Sequence, residues 1–291
     1  MVAEPGNYCD SHIHVVGDPG RYPLLPARPY TPGVAEIETV QRLGAPLGIS
    51  RFVVVQPSFY GTDNTLLLEA LRALGDRGRG VAVLDPAVAS RGLLEEFAAG
   101  GVRGLRLNLY STPDGRQARE FEGSFSAAAD LAQSAGWHVQ VIAPMAVLAS
   151  VAGVLARSPV PVVIDHYGLP AGAASTPDSA EGRAVLDLLR SPHVWMKLSA
   201  PYRSSPDELA TRPDRAWLST ILAVAAERCV WGSDWPHTPP HAAQTGRDVP
   251  LPYRELDYRT VVEHFLAAFP SPEIAARIMR DNPARLYGFT D

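Results

Sequence analysis

The chain has 291 residues, 46% hydrophobic and 20% charged, with a net charge of −5 and a pI near 5.9, which excludes a disordered chain and argues against a nucleic-acid partner. Its two cysteines, Cys9 and Cys229, lie in apolar runs and read as buried thiols, excluding a disulfide framework or a cysteine zinc site. The short acidic start, Met1 to Asn7, has no signal-peptide core and no apolar run reaches the roughly 18 residues that span a bilayer, so the sequence predicts a cytoplasmic protein with no membrane partner.

Apolar runs alternate with amphipathic stretches along the whole chain. Strands are predicted at Tyr8–Val15, Arg51–Gln56, Gly80–Asp85, Val102–Asn108, His138–Ile142, Pro161–Asp165, His193–Leu198 and Arg228–Trp231. Helices are predicted between and after them at Ala35–Leu47, Asn64–Leu74, Arg91–Ala99, Phe125–Ala135, Met145–Ala156, Ala180–Leu189, Asp214–Ala226 and Tyr258–Ala268. Ser124 is a candidate cap for the fourth helix, and Gly136 follows its end. Ser271-Pro272-Glu273 starts a further helix, with proline at its first position, and Asn282-Pro283 starts a last short one.

Strands alternating with helices of this length imply βαβ units and a parallel sheet. Runs such as Phe52-Val53-Val54-Val55 are near-continuously apolar, as strands covered on both faces are. Eight units of about 36 residues fit a closed α/β (β/α)8 TIM barrel, a single domain over residues 1–291. A doubly wound open sheet ranks behind it, because no glycine-rich phosphate loop follows any strand. The Pro- and Gly-rich stretches Gly17–Pro32, Pro170–Ser179 and Thr238–Pro252 read as long loops over one barrel mouth.

Barrel chemistry sits where strands end, so the polar residues at those ends are the candidates. The first strand delivers His12 and His14, whose spacing puts both imidazoles on one face while Ile13 points away. The second ends in a loop rich in hydroxyl and amide donors, Gln56 to Asn64, which includes Ser58. The fourth carries Arg106 and Asn108 on a common face, with Arg103 opposite and nearer the other end. Gln140 is the polar candidate of the fifth, and the sixth ends in Asp165-His166. The seventh runs from Trp195 to Arg203, and the eighth delivers Asp234 and His237 through Gly232-Ser233-Asp234-Trp235-Pro236-His237. Buried charges without a function are costly, so so many ionisable groups at one end of the strands point to a reacting centre.

The pair His12-Ile13-His14, His166, the run Gly232 to His237 and the ending Asn282 to Phe289 together resemble the amidohydrolase superfamily, in its amidohydrolase-2 branch, over about Cys9 to Phe289. Pro29-Tyr30-Thr31-Pro32 and Gln56 to Asn64 resemble the group that includes 2-pyrone-4,6-dicarboxylate lactonases. The resemblance implies a hydrolase acting on a lactone, with Asp234 as catalytic acid/base and His12, His14 and His166 around the scissile carbonyl. It implies substrate contacts at Tyr30, Ser58, Arg106, Arg203 and His237, and Asn108 shares Arg106's face. Where that group carries a further basic residue after Arg106 and a tyrosine at the end of the fifth strand, this chain has Leu107 to Thr112 and Ile142. The departure implies a substrate with one carboxylate, or with a different polar group, rather than a dicarboxylate, so the lactone expected is that of a carboxylated or sugar-acid-like small molecule.

Relatives that hold two metals add ligands from strands four and five that are missing here, where Asn108 and Gln140 stand. His12, His14 and Asp234 could still hold one zinc, but the resemblance to the pyrone lactonase group, in which the same residues act without metal, implies no cofactor, with that zinc as the alternative. A metal-dependent decarboxylase of an aromatic acid and a non-catalytic small-acid binding protein are the rival functions. The partner expected is a small-molecule substrate, and the sequence leaves a homo-oligomer open.

Overall fold

The fold is described from a computed structural model, which covers residues 7–110, 116–172, 175–239, 249–269 and 271–290. In chain order the strands are β1 (Tyr8–Ile13), β2 (Thr31–Pro32), β3 (Ile49–Val55), β4 (Gly78–Ala82), β5 (Val102–Asn108), β6 (His138–Ile142), β7 (Val162–Ile164), β8 (Val194–Ser199), β9 (Cys229–Gly232) and β10 (Pro250–Leu251). Eight of them form one parallel sheet in the order β1-β3-β4-β5-β6-β7-β8-β9. The helices between and after them are α1 (Ile37–Gly44), α2 (Thr65–Leu74), α3 (Arg91–Ala99), α4 (Arg116–Ala135), α5 (Met145–Ala156), α6 (Ala180–Leu188), α7 (Arg215–Ala225) and α8 (Tyr258–Leu266).

The sheet curls until its last strand reaches its first. Ile13 bridges Trp235 in parallel. The His14 amide donates to the Trp235 carbonyl at 2.8 Å, and the Asp234 amide donates to the His12 carbonyl at 2.9 Å. The Asp10 carboxylate spans the same seam, accepting from the Ser233 amide at 2.8 Å and the Tyr258 hydroxyl at 2.9 Å. The result is a (β/α)8 TIM barrel.

Alternation along β3 shows why the apolar runs are continuous. Val53 and Val55 pack inside the barrel with Cys9, Val81, Val163, Trp195 and Val230, while Phe52 and Val54 join the core beneath the helices. Strands loaded on both faces need apolar residues at every position. Tyr287 and Phe289 close the interior at the end away from the strand exits. Arg79 holds them there, donating to the Tyr287 carbonyl at 3.1 Å and the Gly288 carbonyl at 2.8 Å with its guanidinium 4.5 Å from the Phe289 ring centre.

Side chains cap several helices by accepting from first-turn amides: Ser90 from Leu93, Ser179 from Gly182, Asp214 from Trp217 and Asp257 from Thr260. Ser124 does not cap α4 but lies within it. Buried Phe121 and Phe125 stack at 5.5 Å one turn apart, so the apolar face begins before Ser124. The sequence also missed the parallel pairing of β2 with β10. This pairing and a Tyr253 hydroxyl bond to the Gly33 carbonyl join the two long loops predicted to cover the mouth. Residues 240–248 of the second loop, and Ser111 and Thr112 after β5, lie outside the described residues. Among the described residues no helix is long and apolar enough to cross a membrane.

Candidate active site

Left-handed backbone turns deliver the functional side chains at successive strand exits. His166 after β7 has φ +54°, Ala200 after β8 +51°, and Asp234 and His237 after β9 +62° and +65°. Non-glycine residues held in that region cost about 1 kcal/mol or more each and concentrate at functional sites. Ala200 turns the chain into a short 3-10 turn, Pro201–Arg203, which presents Tyr202 and Arg203 to the mouth.

The Asp234 carboxylate is divided in two. Its Oδ2 accepts from the Tyr202 hydroxyl at 2.5 Å and from Arg203 Nε at 3.0 Å. Arg203 Nη2 is 2.9 Å from the same oxygen and also donates to the Thr238 hydroxyl. Its Oδ1 accepts no hydrogen bond although fully buried. Instead it faces three imidazoles, with Nε2 of His12 and of His14 each at 3.5 Å and Nε2 of His166 at 4.0 Å.

A second layer orients those rings. His14 Nδ1 lies 2.7 Å from the Val55 carbonyl. A carbonyl only accepts, so Nδ1 carries the proton and, in the neutral ring, the Nε2 lone pair faces Asp234. His166 Nδ1 is 2.8 Å from the Ser199 hydroxyl. Beneath His12 lies a buried polar floor. Lys197 Nζ donates to Gln140 Oε1 at 2.6 Å, and Gln140 Nε2 donates to Asp165 Oδ2 at 2.9 Å.

Burial alone would raise the Asp234 carboxyl, but the Arg203 guanidinium and the histidines hold it well below the ordinary carboxylate range. Burial and the Lys197 ammonium push His12 well below its usual value, and burial brings His166 and His237 each down to about 4. These rings are therefore neutral near pH 7. Burial would also raise Asp165, but His12 and Lys197 hold it low; with His12 neutral, the ammonium carries that effect. Lys197 itself is lowered to about 8 by burial.

The structure thus brings together His12, His14, His166, Asp234 and Arg203 as the sequence leads one to expect. Tyr30 and Arg106 are buried at the same mouth and interact electrostatically with Asp234 and Arg203. Arg106 Nη1 donates to the Gln56 carbonyl at 2.8 Å, its Nε has no partner, and it forms no ion pair among the described residues. His237 stands edge-on to Tyr202 with both ring nitrogens unpartnered. Ser58 lies in the short turn after β3. Asn108 serves its own loop, where Oδ1 accepts from the Tyr110 amide at 2.9 Å. His138 is at the far end of the barrel, against Tyr287.

Sequence reasoning missed Tyr202 and Lys197, and gave Asp10 and Asp165 no role. Lys197 and Ser199 stand two apart on β8, a signal that both point inward. A cavity of about 890 Å³ lined by Tyr167, Ser204 and Trp217 includes none of the groups around Asp234. The convergence of ionisable groups, not cavity size, marks the candidate site.

The ligand atoms of His12, His166 and Asp234 lie within 4.8 Å of one another, a set that could hold a metal ion. Zinc ligands at about 2.0–2.1 Å in a tetrahedron stand roughly 3.4 Å apart, close to the 3.5 Å that separates His12 and His14 from Asp234. His12 Nε2 and Asp234 Oδ1 are both buried without partners, as two ligands awaiting a cation would be.

Known proteins share this scaffold. The chain is 30% identical to a 4-sulfomuconolactone hydrolase of Hydrogenophaga intermedia, covering 99% of this chain and 90% of that protein. It is 29% identical to a 2-pyrone-4,6-dicarboxylate hydrolase of Comamonas testosteroni, covering 97% and 90%. Among solved structures, a candidate 2-pyrone-4,6-dicarboxylic acid hydrolase from Pseudomonas putida superposes with a TM-score of 0.80 at 32% identity, covering 98% of each chain. The family described as Amidohydrolase matches residues 9–289, so the chain belongs to the amidohydrolase family.

Proposed function

We propose that the chain is a hydrolase that opens a lactone bearing one carboxylate, with Asp234 as its general acid/base. The observation that carries this reading is the divided carboxylate, with one oxygen held by Tyr202 and Arg203 and the other bare before three imidazoles. The relatives from Hydrogenophaga intermedia and Comamonas testosteroni, both lactone-type hydrolases by name, support the reaction class.

Asp234 is ionised at neutral pH, so Oδ1 accepts a proton from water as the water adds to the lactone carbonyl. Its low pKa makes the resulting acid a ready donor to the leaving ring oxygen. Tyr202 and Arg203 keep Oδ2 out of this exchange and fix the carboxylate plane. Imidazole N–H groups, donating from neutral rings, stabilise the oxyanion. Arg106 is a buried cation without an ion pair among the described residues, and its planar fork suits a substrate carboxylate through two parallel bonds. Tyr30 and His237 line the same mouth as further polar contacts.

Although the sequence favours no metal, the facing and unpartnered His12 Nε2 and Asp234 Oδ1 support the alternative of one divalent ion. His12, His14 or His166, and Asp234 would hold it, and when bound it would supply carbonyl polarisation and a more acidic water. Tyr202, Arg203 and Arg106 would keep their roles in either case, whereas the ligating imidazoles and Asp234 Oδ1 would hold the ion in place of the hydrogen bonds described above. Neither the decarboxylase nor the non-catalytic reading gains an observation of its own.

Asp234→Asn is expected to keep the fold by circular dichroism and to lose turnover across a panel of monocarboxylated lactones. Wild-type rates in that variant would remove Asp234 from the reaction.

A further inference from the structure

We propose that Lys197 and Asp165 are positioning residues that set which ring nitrogen of His12 carries its proton, and thereby whether His12 donates to Asp234 or ligates a cation. The inference rests on reading His12 and Asp234 as the reacting centre.

Both groups converge on one atom. His12 Nδ1 lies 3.4 Å from Lys197 Nζ and 3.5 Å from Asp165 Oδ1. An ammonium only donates, and an ionised carboxylate only accepts. The same ring nitrogen therefore faces an obligate donor and an obligate acceptor, and all three side chains are fully buried, with no water surface to satisfy them otherwise. His14 contrasts with it, because a single carbonyl fixes its tautomer.

Two hydrogen-bond arrangements are self-consistent. In the first, Lys197 donates to Nδ1, so Nε2 carries the proton and points it at Asp234 Oδ1. In the second, Nδ1 keeps the proton and donates it in a hydrogen bond to Asp165 Oδ1, which otherwise has no hydrogen-bond partner among the described residues. Nε2 then presents a lone pair toward Asp234 Oδ1, another acceptor, and that arrangement is favourable only with a cation between them. Passing from the first to the second, one proton leaves Nε2 and one arrives at Nδ1. The ring stays neutral throughout, so the selection involves no change in ionisation.

Gln140 makes the floor stiff enough to act this way. It accepts from Lys197 at 2.6 Å and donates to Asp165 at 2.9 Å, and Lys197 Nζ stands 3.7 Å from Asp165 Oδ1, so the two groups are held side by side against the same ring nitrogen. Second-layer partners of this kind change metal affinity by roughly 10–100-fold when removed.

The test uses the full-length protein, zinc alone as the probe, and two readouts that require no substrate. In ¹⁵N-histidine-labelled wild-type protein freed of metal, long-range ¹⁵N–¹H spectra, assigned with His12→Gln, should show His12 protonated on Nε2. Adding zinc should move the proton to Nδ1. An unchanged tautomer, or Nδ1 protonation from the start, overturns the proposal without any variant having to fold. Zinc affinity, measured by chelator competition, should then move in opposite directions in two variants. Lys197→Met removes the donor and should bind zinc roughly tenfold more tightly, whereas Asp165→Leu removes the acceptor and should bind it at least roughly tenfold more weakly. Loss of affinity in both variants, or no change in either, would assign the pair a merely structural role. These readouts leave the lactone reading untouched if they fail, because that reading is tested by Asp234→Asn turnover.

Discussion

Tyr202 and Asp234 are joined by a 2.5 Å hydrogen bond in which the phenol donates to Oδ2, and the other carboxylate oxygen is left to face the histidines. The bond is charge-assisted, so removing it costs about 1.5–3 kcal/mol, or roughly 10–150-fold in rate if the stabilisation belongs to the reacting geometry. Tyr202→Phe should lower kcat/KM by that range. The phenol favours the ionised carboxylate, so its loss raises the Asp234 pKa. The acid limb of the pH–rate profile should move to higher pH, and a profile unmoved from wild type would deny the contact a role.

Arg106 is expected to bind rather than react. Arg106→Leu should raise KM for a carboxylated lactone roughly 10–100-fold, the worth of a charge-assisted pair, with kcat within a few-fold of wild type. Arg106→Lys should fall between, since an ammonium lacks the planar fork. A neutral lactone should be indifferent to both changes, and steady-state kinetics on matched charged and neutral substrates measures the difference.

Asp10 couples barrel closure to pH. Burial raises its carboxyl from the ordinary 3.8 to about 6, even though the Ser233 and His12 amides and the Tyr258 hydroxyl favour the ionised form. A folded pKa above the unfolded one contributes stability that is fully present below about pH 4 and lost as pH rises through about 6, by roughly 3 kcal/mol. The depressed His12, His166 and His237 work in the opposite sense over this range, so the loss is read by comparing urea unfolding at pH 4 and pH 7 in the wild type and in Asp10→Asn. In Asp10→Asn it should shrink by about that amount, because the amide does not titrate, and equal pH dependence in the two proteins would contradict it.

Gly232 is required by proximity. A Cβ there would lie 2.5 Å from the His12 Cβ and 2.7 Å from its amide nitrogen. Neither atom can swing away, so Gly232→Ala must push β1 from β9. It should cost about 1–3 kcal/mol in urea unfolding and abolish most activity by displacing His12 from Asp234.

The barrel was legible because its strands are buried on both faces, which writes the architecture into runs such as Phe52 to Val55. His12, His14 and Asp234 were legible because each sits at a strand exit in an otherwise apolar context. Lys197 was not, since its neighbours Met196 and Leu198 read as ordinary strand, and its partners Gln140 and Asp165 come from other strands. Tyr202 was hidden in a loop whose path depends on the left-handed Ala200, a conformation that alanine gives no hint of adopting. The start of α4 was misjudged because a serine inside a helix looks the same, in one dimension, as a serine that begins one.

The ring is completed by main-chain bonds from His12 and His14 to Asp234 and Trp235, so its seam runs through the residues proposed to react. A polypeptide emerging from the ribosome holds its first imidazoles long before it holds their carboxylate. Catalytic competence should therefore appear in one late step during synthesis, when the final strand docks, and shorter nascent chains should carry none of it.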